Sequence, residues 1–216
     1  MMARFLTAGA VLLALATGAG TAMAAGPGTD PDWPCVQRLV PELSAAAVWS
    51  GPPPPQGDGW RQVPEVADLV ARITPMAVGE AAGVRSILDF AAPLDAGARR
   101  QMLPLALSGT LAGTNQVRSQ VIERIKAFAR RQRGLAEMVQ RLTEQLDVSD
   151  QEGAGQAAAG EAKARHAELE QRVFFATKTF QDTERTLRYI CEVPVRLEAR
   201  FGAYARALEG ALPPPP

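Results

Sequence analysis

The apolar residues in the second half of the chain recur at spacings that alternate between four and three. One such run ends before a glycine-rich stretch at residues 150–160, and a second begins after it. This heptad pattern is typical of long helices that pack along a narrow apolar seam, and Gln132 is the one polar residue on the first seam. The first seam consists of Val117, Val121, Ile125, Phe128, Leu135, Val139, Leu142 and Leu146. The second consists of Leu169, Val173, Ala176, Phe180, Thr183, Leu187, Ile190, Pro194, Leu197, Phe201, Tyr204 and Leu208.

These two runs predict an all-α fold built around a long antiparallel helical hairpin that resembles a coiled coil. The hairpin is expected to cover residues 113–210, with its turn at 150–160. If the chain reverses near Ala154, Gln132 lies opposite Ala176. The large residues of one seam then face apolar or aromatic residues of the other, and their burial is the main expected source of stability.

Shorter apolar patterns in the first half predict small helices that pack at the base of the hairpin. Residues 63–112 are expected to hold three of them. One begins at Pro64, which suits the first position of a helix, and one covers residues 79–92. The third begins after Asp95 as its N-cap and is expected to kink at Pro104.

The flanking segments are rich in proline and glycine and predict little regular structure. Residues 25–62 are expected to form an extended lead-in, a short helix at 36–49 that Pro41 divides, and a proline-rich linker. Residues 211–216 are expected to form a proline-rich tail.

The first 24 residues have the composition of a secretory signal peptide. Arg4 gives a positive start, an apolar stretch follows, and Ala22 and Ala24 place small residues at a cleavage site. The apolar stretch is shorter than the roughly 20 residues that a membrane span requires. We therefore expect cleavage after Ala24 and a periplasmic protein without a transmembrane span in its mature form.

Cys35 and Cys191 are the two cysteines of the chain. In an oxidising compartment, two cysteines outside a CxxC motif usually form a structural disulfide. Their sequence neighbours include no histidine and no second thiol for metal binding or redox chemistry. We expect a disulfide that fastens the N-terminal segment to the base of the hairpin, where Pro194 is expected to bend the second long helix.

The charge balance and the residue inventory limit the classes of function. The chain has 23 basic and 23 acidic residues and a formal net charge of +0, so it has no bulk positive field to hold nucleic acid. Its single histidine, His166, leaves most metal sites and histidine-dependent catalytic schemes incomplete. No phosphate loop, GxSxG or HExxH motif is present. The sequence therefore predicts a non-catalytic protein with no cofactor and no metal.

Two features of the hairpin are candidates for contact with a partner. Arg130, Arg131 and Arg133 form the densest basic cluster, which suits an acidic surface. The alternative is a solvated helix face that pairs with acidic residues on the returning helix. Leu146 lies near the predicted tip, where an apolar side chain is available for docking. His166 is expected to be a partly exposed seam residue.

These features favour an adaptor or scaffold protein of the bacterial envelope whose hairpin docks a protein partner. The partner is expected to be a component of an envelope or membrane complex, or a second copy of the chain. The architecture resembles that of periplasmic holdase chaperones and of envelope adaptor hairpins, but no residue motif is shared. Two alternatives remain open. One is a holdase for unfolded envelope proteins, and the other is an enzyme or small-ligand binder with a pocket at the hairpin base.

Overall fold

A computed structural model describes residues 30–153 and 159–214 of the chain, and all regular structure within them is helical. This confirms the predicted all-α fold. The predicted signal peptide and part of the predicted turn lie outside the described residues. None of the described helices combines the length and the apolarity that crossing a bilayer requires. The α-helices in this part of the chain are α1 at Pro64–Ile73, α2 at Glu80–Ala91, α3 at Ala96–Gly153, α4 at Ala159–Ile190 and α5 at Val193–Gly210.

The first three helices begin where the sequence predicts. Pro64 is the first residue of α1, where its missing N–H removes no helical hydrogen bond. Gly79 is the N-cap of α2. Asp95 caps α3, because its Oδ1 accepts a hydrogen bond from the Ala98 N–H at 2.8 Å. Local capping chemistry thus determines these helix starts.

The third helix is longer than predicted, because α3 includes both the predicted base helix and the first arm of the hairpin. It has 58 residues, which corresponds to about 87 Å. Pro104 lies inside it and removes one helical hydrogen bond. Leu103 and Leu107 on either side are fully buried in the base, and this packing offsets the loss. Residues 112 and 113, where the predicted regions meet, are therefore not a helix boundary.

The prediction of a helix at residues 36–49 is wrong. The regular structure in this segment is a single 3-10 turn at Ala45–Ala47. Val36 was expected on the apolar face of that helix, but its side chain is fully exposed. Pro41 lacks the N–H that a helix would use, and the main chain of this segment is instead bound by side chains of α3.

We refer to residues 30–43 as the N-terminal strap, and two side chains of α3 hold its end. Asn115 accepts a hydrogen bond from the Leu43 N–H at 2.9 Å and donates one to the Leu43 carbonyl at 3.1 Å. Arg118 is 3% exposed and donates to the Val40 carbonyl at 2.9 Å. Its burial lowers the pKa of the guanidinium from its ordinary value. A second acceptor of Arg118 is the carbonyl of Pro194, so Arg118 also connects α3 to the start of α5.

The main core lies at the base, between α1, α2, the first half of α3 and α5. A buried arginine of α5, Arg200, donates to the carbonyl of the residue that caps the C-terminus of α1 and to two carbonyls of the turn that follows. Partial negative charge at a helix C-terminus favours a cation at this place. The three acceptors, at 2.8–2.9 Å, are the carbonyls of Thr74, Pro75 and Val78. The large residues of this core are Trp49, Trp60, Val66, Leu69, Ile73, Ile87, Leu103, Leu107, Phe201, Tyr204 and Leu208.

The second long helix, α4, runs antiparallel to α3 and contacts it along the predicted seam. All predicted seam positions from Val117 to Ile190 are buried or half-buried. The register differs from the expected one, because Gln132 donates from Nε2 to the carbonyl of Phe180 at 3.1 Å and does not face Ala176. Phe180 lies four residues beyond Ala176, so the contact is displaced by about one helical turn from the predicted one.

The bend that was expected near Pro194 is a full break, which separates α4 from α5. Cys191 lies in this break and forms a disulfide with Cys35 of the strap, as the sequence indicated. Gln37 of the strap also donates from its side chain to the Cys191 carbonyl. Trp33 and Cys35 pack here against a second small core formed by Val117, Val121, Ile125, Leu187, Ile190, Val193 and Leu197.

Replacing both cysteines by serine is expected to lower the free energy of unfolding by about 2–5 kcal/mol, because the bond closes a loop with a sequence separation of 156 residues. Urea titration of the oxidised protein and of the double variant measures the difference. The unmodified protein in a reducing agent is the matched control and should behave like the variant. An unchanged midpoint would contradict the constraint that we assign to this bond.

Two glycine substitutions should have opposite effects on stability. A Cβ at Gly83 of α2 would lie 2.0 Å from the hydroxyl oxygen of the buried Tyr204, so Gly83→Ala is expected to destabilise the protein by about 1–3 kcal/mol. A Cβ at Gly134 of α3 meets nothing within 4 Å, so Gly134→Ala is expected to stabilise it by about 0.5–1 kcal/mol. Thermal unfolding of both variants measures the two shifts. Equal shifts would show that helix propensity alone acts at Gly83.

Candidate functional site

We define the distal hairpin as residues 134–151 of α3 and 160–181 of α4. Here the described structure consists of two helices that share one seam. None of the described residues from 160 to 181 is fully buried, whereas half of the 18 residues of α5 are buried in the base. Two helices in contact leave both flanks of their seam open, and a third element is needed to cover either flank. The distal hairpin therefore presents apolar surface that the described residues do not cover.

Two phenylalanines are the largest exposed apolar side chains of the distal hairpin. Phe174 and Phe175 are each 63% exposed, and their rings lie edge to face with centroids 5.5 Å apart. Consecutive residues point about 100° apart around a helix, so the two rings reach different flanks of the seam. Met138 and Val148 of α3 are also exposed. Clustered exposed apolar residues of this kind are typical of interaction surfaces.

Each phenylalanine lines a separate open groove between α3 and α4. The groove that contains Phe175, which we name the Phe175 groove, has a volume of about 500 Å³. Its apolar floor is formed by Leu135, Met138, Leu142 and Ala176. The groove on the other flank, which we name the Phe174 groove, has a volume of about 520 Å³ and contains Leu146 and Val173.

The two grooves differ in charge. The charged residues that line the Phe175 groove are Arg141 from α3 and Arg172 from α4, with no carboxylate among the lining residues. The Phe174 groove is lined by one acid and one base, Glu170 and Lys178. Apolar floors with charged rims are the usual composition of protein docking sites. The two flanks of the hairpin therefore favour partners of different charge.

The basic cluster that the sequence singled out lies closer to the base, and the strap contacts two of its members. Arg130 forms an ion pair with Asp32 at 2.6 Å, and Arg133 contacts the other oxygen of the same carboxylate. Nearby, Lys126 lies 2.9 Å from Asp30. The expectation that the acidic partners come from the returning helix is therefore wrong, because the strap supplies them. The third member, Arg131, lies over the ring of Phe128 at 5.8 Å from its centroid.

These ion pairs shift the pKa values of the groups that form them. Hydrogen bonds from Arg130 and Arg133 lower the pKa of the Asp32 carboxyl, and a hydrogen bond from Lys126 lowers that of Asp30. The same bond to Asp30 raises the pKa of the Lys126 ammonium. The strap is therefore held most firmly at neutral pH, when all of these groups are charged.

The two other residues that the sequence singled out, Leu146 and His166, both lie on the distal hairpin. Leu146 is half-buried and belongs to the Phe174 groove, so it lies on the candidate surface. His166 is a half-buried seam residue, as expected. Its Nε2 lies 2.5 Å from Asp150 Oδ1, and its Nδ1 lies 3.8 Å from Glu170 Oε2. The contact with Asp150 connects the end of α3 to α4, whereas the contact with Glu170 lies within α4.

The base has a wider groove, which lies between the proline-rich linker and α3 and has a volume of about 950 Å³. Its walls include Trp49, Pro53 and Leu111, and its polar groups include Asn115, whose amide is bonded to the strap. Among the described residues, no three His, Cys, Asp or Glu side chains are grouped so that they could hold a metal ion. The polar residues that line this groove belong to no such group; they are Glu42, Ser44, Gln56, Asp58, Ser108 and Asn115.

The heptad pattern did not predict several residues of the candidate surface, because they lie beside the seam and not on it. Met138 precedes the seam residue Val139, and Phe175 precedes Ala176. Apolar residues next to seam positions widen the apolar stripe of a helix, and this was the available signal. The residues that it would have identified are Met138, Phe174 and Phe175, with Arg141 and Arg172 as their charged neighbours.

Comparison of the chain with family models, with curated proteins and with solved structures finds no match. The exposed surface of the distal hairpin is therefore the basis for a functional assignment.

Acidification is expected to loosen the contact of Asp30 and Asp32, at the start of the strap, with α3. Because the pKa values of Asp30 and Asp32 are lowered in the folded protein, their pairs stabilise the strap above the ordinary value of 3.8 and lose this effect as the pH falls through the lowered values. The Trp33 indole, which donates to the Gln37 carbonyl at 2.7 Å, reports this change by NMR.

We expect the Trp33 indole signal to shift between about pH 5 and pH 2, with the signals of the other two tryptophans as internal controls. In the double variant Asp30→Asn, Asp32→Asn the signal should already have its low-pH position at neutral pH. A signal that titrates identically in both proteins would show that these carboxylates do not hold the strap.

Proposed function

We propose that this chain is an exported, non-catalytic interaction protein of the bacterial envelope, and that its distal hairpin docks a protein partner. The observation that carries the proposal is the pair of open apolar grooves with Phe174 and Phe175 exposed above them. Exposing two aromatic rings to water on a two-helix rod is unfavourable unless a partner covers them. Burial of one such side chain would contribute about 1.5–3 kcal/mol to binding before ordering costs are subtracted.

The base gives this role support of a different kind. Its core includes residues of four α-helices, and α3 extends from this core without interruption into the distal hairpin. The interaction surface is thus carried on a rigid rod whose orientation relative to the base is fixed by the continuous helix. The disulfide between Cys35 and Cys191 suits an oxidising compartment, which supports export.

A holdase is the second candidate, and the openness of the same grooves favours it. A surface without a closed pocket binds many unfolded apolar segments weakly, whereas an adaptor binds one folded partner with defined stoichiometry. The number of distinct partners therefore separates the two functions.

A photo-crosslinking amino acid in place of Phe174 or Phe175, in the native envelope, tests the proposal. Each substitution keeps an aromatic group at the position, so it should leave the grooves intact. We expect one discrete protein adduct from at least one position. The matched control is Gln140, which is exposed on the same hairpin but lines neither groove.

The adduct pattern decides between the candidates. A discrete adduct from a groove position, absent from position 140, supports the adaptor. A broad ladder of adducts, together with suppression of aggregation of a denatured envelope protein by the purified chain, would favour the holdase. Without protein adducts from either phenylalanine position, docking through the distal hairpin is wrong.

A further inference from the structure

We infer that the Phe175 groove binds an acidic amphipathic helix of the partner. The inference rests on the proposed function and adds the chemical character of what the hairpin docks. Its basis is the combination of an apolar floor with two arginines, Arg141 and Arg172, that come from opposite walls of the groove.

The shape of the groove suits a helix. Leu135, Met138 and Leu142 follow each other at spacings of three and four on α3, and Phe175 and Ala176 of α4 form the facing wall. The stretch of α3 from Leu135 onward that lines the groove covers about 15 Å, which corresponds to about three helical turns. A trough between two antiparallel helices accepts the ridge of a third helix, as in other helix-in-groove complexes.

The charges of the groove suit a helix with acidic flanks. The antiparallel register, in which Gln132 contacts Phe180, places Arg141 and Arg172 at about the same level of the hairpin. Arg141 has one weak, exposed ion pair with Glu137 at 3.9 Å on its own helix. Arg172 has no carboxylate within 4.0 Å among the described side chains. Two guanidinium groups at one level of a trough favour carboxylates on the helix that enters it.

Other occupants fit the groove less well. A second copy that presented the same groove across a two-fold axis would bring like charges together, because each copy contributes Arg141 and Arg172. A flat anionic membrane would meet the acidic residues of α3 beside Arg141, since Glu137 and Glu144 are also exposed. A single helix instead enters the trough between α3 and α4, where the lining residues include Arg141 and Arg172 but neither of these glutamates.

A pair of synthetic peptides tests the inference. Both have about 16 residues and the same leucine positions at helical spacing, but one carries glutamates and the other lysines on the flanks of the leucine stripe. Fluorescence anisotropy measures their binding to the full chain. We expect the acidic peptide to bind about tenfold or more tightly than the basic one. The double variant Arg141→Glu, Arg172→Glu should reverse this preference.

Two control variants accompany the reversal. Arg141→Lys with Arg172→Lys keeps the charge and should keep the preference. Lys178→Glu reverses a charge at the Phe174 groove and should leave the preference unchanged. Equal binding of the two peptides, no binding of either, or a preference that persists in the double glutamate variant would overturn the inference.

Further measurements identify the other occupants and separate this inference from the proposed function. Arginine-dependent binding to phosphatidylglycerol vesicles without binding of the acidic peptide would assign the groove to a membrane. A dimer that dissociates in the double glutamate variant would assign it to a second copy. If the photo-crosslinked adducts at position 175 are the same in the double variant Arg141→Glu, Arg172→Glu, the adaptor function stands, but the partner segment is not an acidic helix. Absence of adducts from both phenylalanine positions in the chain that keeps Arg141 and Arg172 would remove the adaptor function itself.

Discussion

The contact between α3 and α4 is a single apolar seam, and the surroundings of that seam change along its length. Near the base, the strap and α5 cover it, so that Ile125 is 1% exposed. Farther out, the same heptad positions are contacted by the facing helix alone. Leu142 is still buried there, but Leu135, Val139 and Leu146 are half-buried. One periodic sequence thus produces a stable core at one end and an accessible apolar surface at the other. Both proposals follow from this difference.

The strap and the junction between α4 and α5 are the segments that cover the hairpin near the base. Beyond them its seam is uncovered. Arg118 satisfies carbonyls of both Val40 and Pro194, so the strap and the start of α5 share one buried cation. Asp30 and Asp32 add ion pairs at the surface, which are screened by solvent and so contribute less. The buried guanidinium and the covalent bond therefore fix the strap, and the surface pairs adjust how closely it lies against α3.

The sequence predicted what depends on local periodicity and capping. The seam positions, the starts of α1, α2 and α3, and the break near Pro194 follow from apolar spacing, from Asp95 and from proline geometry. The irregular path of residues 36–49 could not be predicted, because Asn115 and Arg118 act on it from more than 70 positions away in the chain. The register also depends on where the turn reverses the chain, which glycine positions alone do not determine. Of the candidate site, the sequence predicted Leu146. Phe174 and Phe175 were not predicted, because they lie beside the heptad positions that define the seam.

The disulfide has a consequence for the order in which the chain matures. Synthesis runs from the N-terminus, so Cys35 exists long before Cys191, and 155 residues must follow before its partner is made. With no third thiol in the sequence, the early cysteine has no incorrect partner within its own chain and can mispair only with another molecule. Oxidation is therefore possible only after all the residues between the two cysteines have been made, and errors in it would yield crosslinked oligomers rather than scrambled monomers.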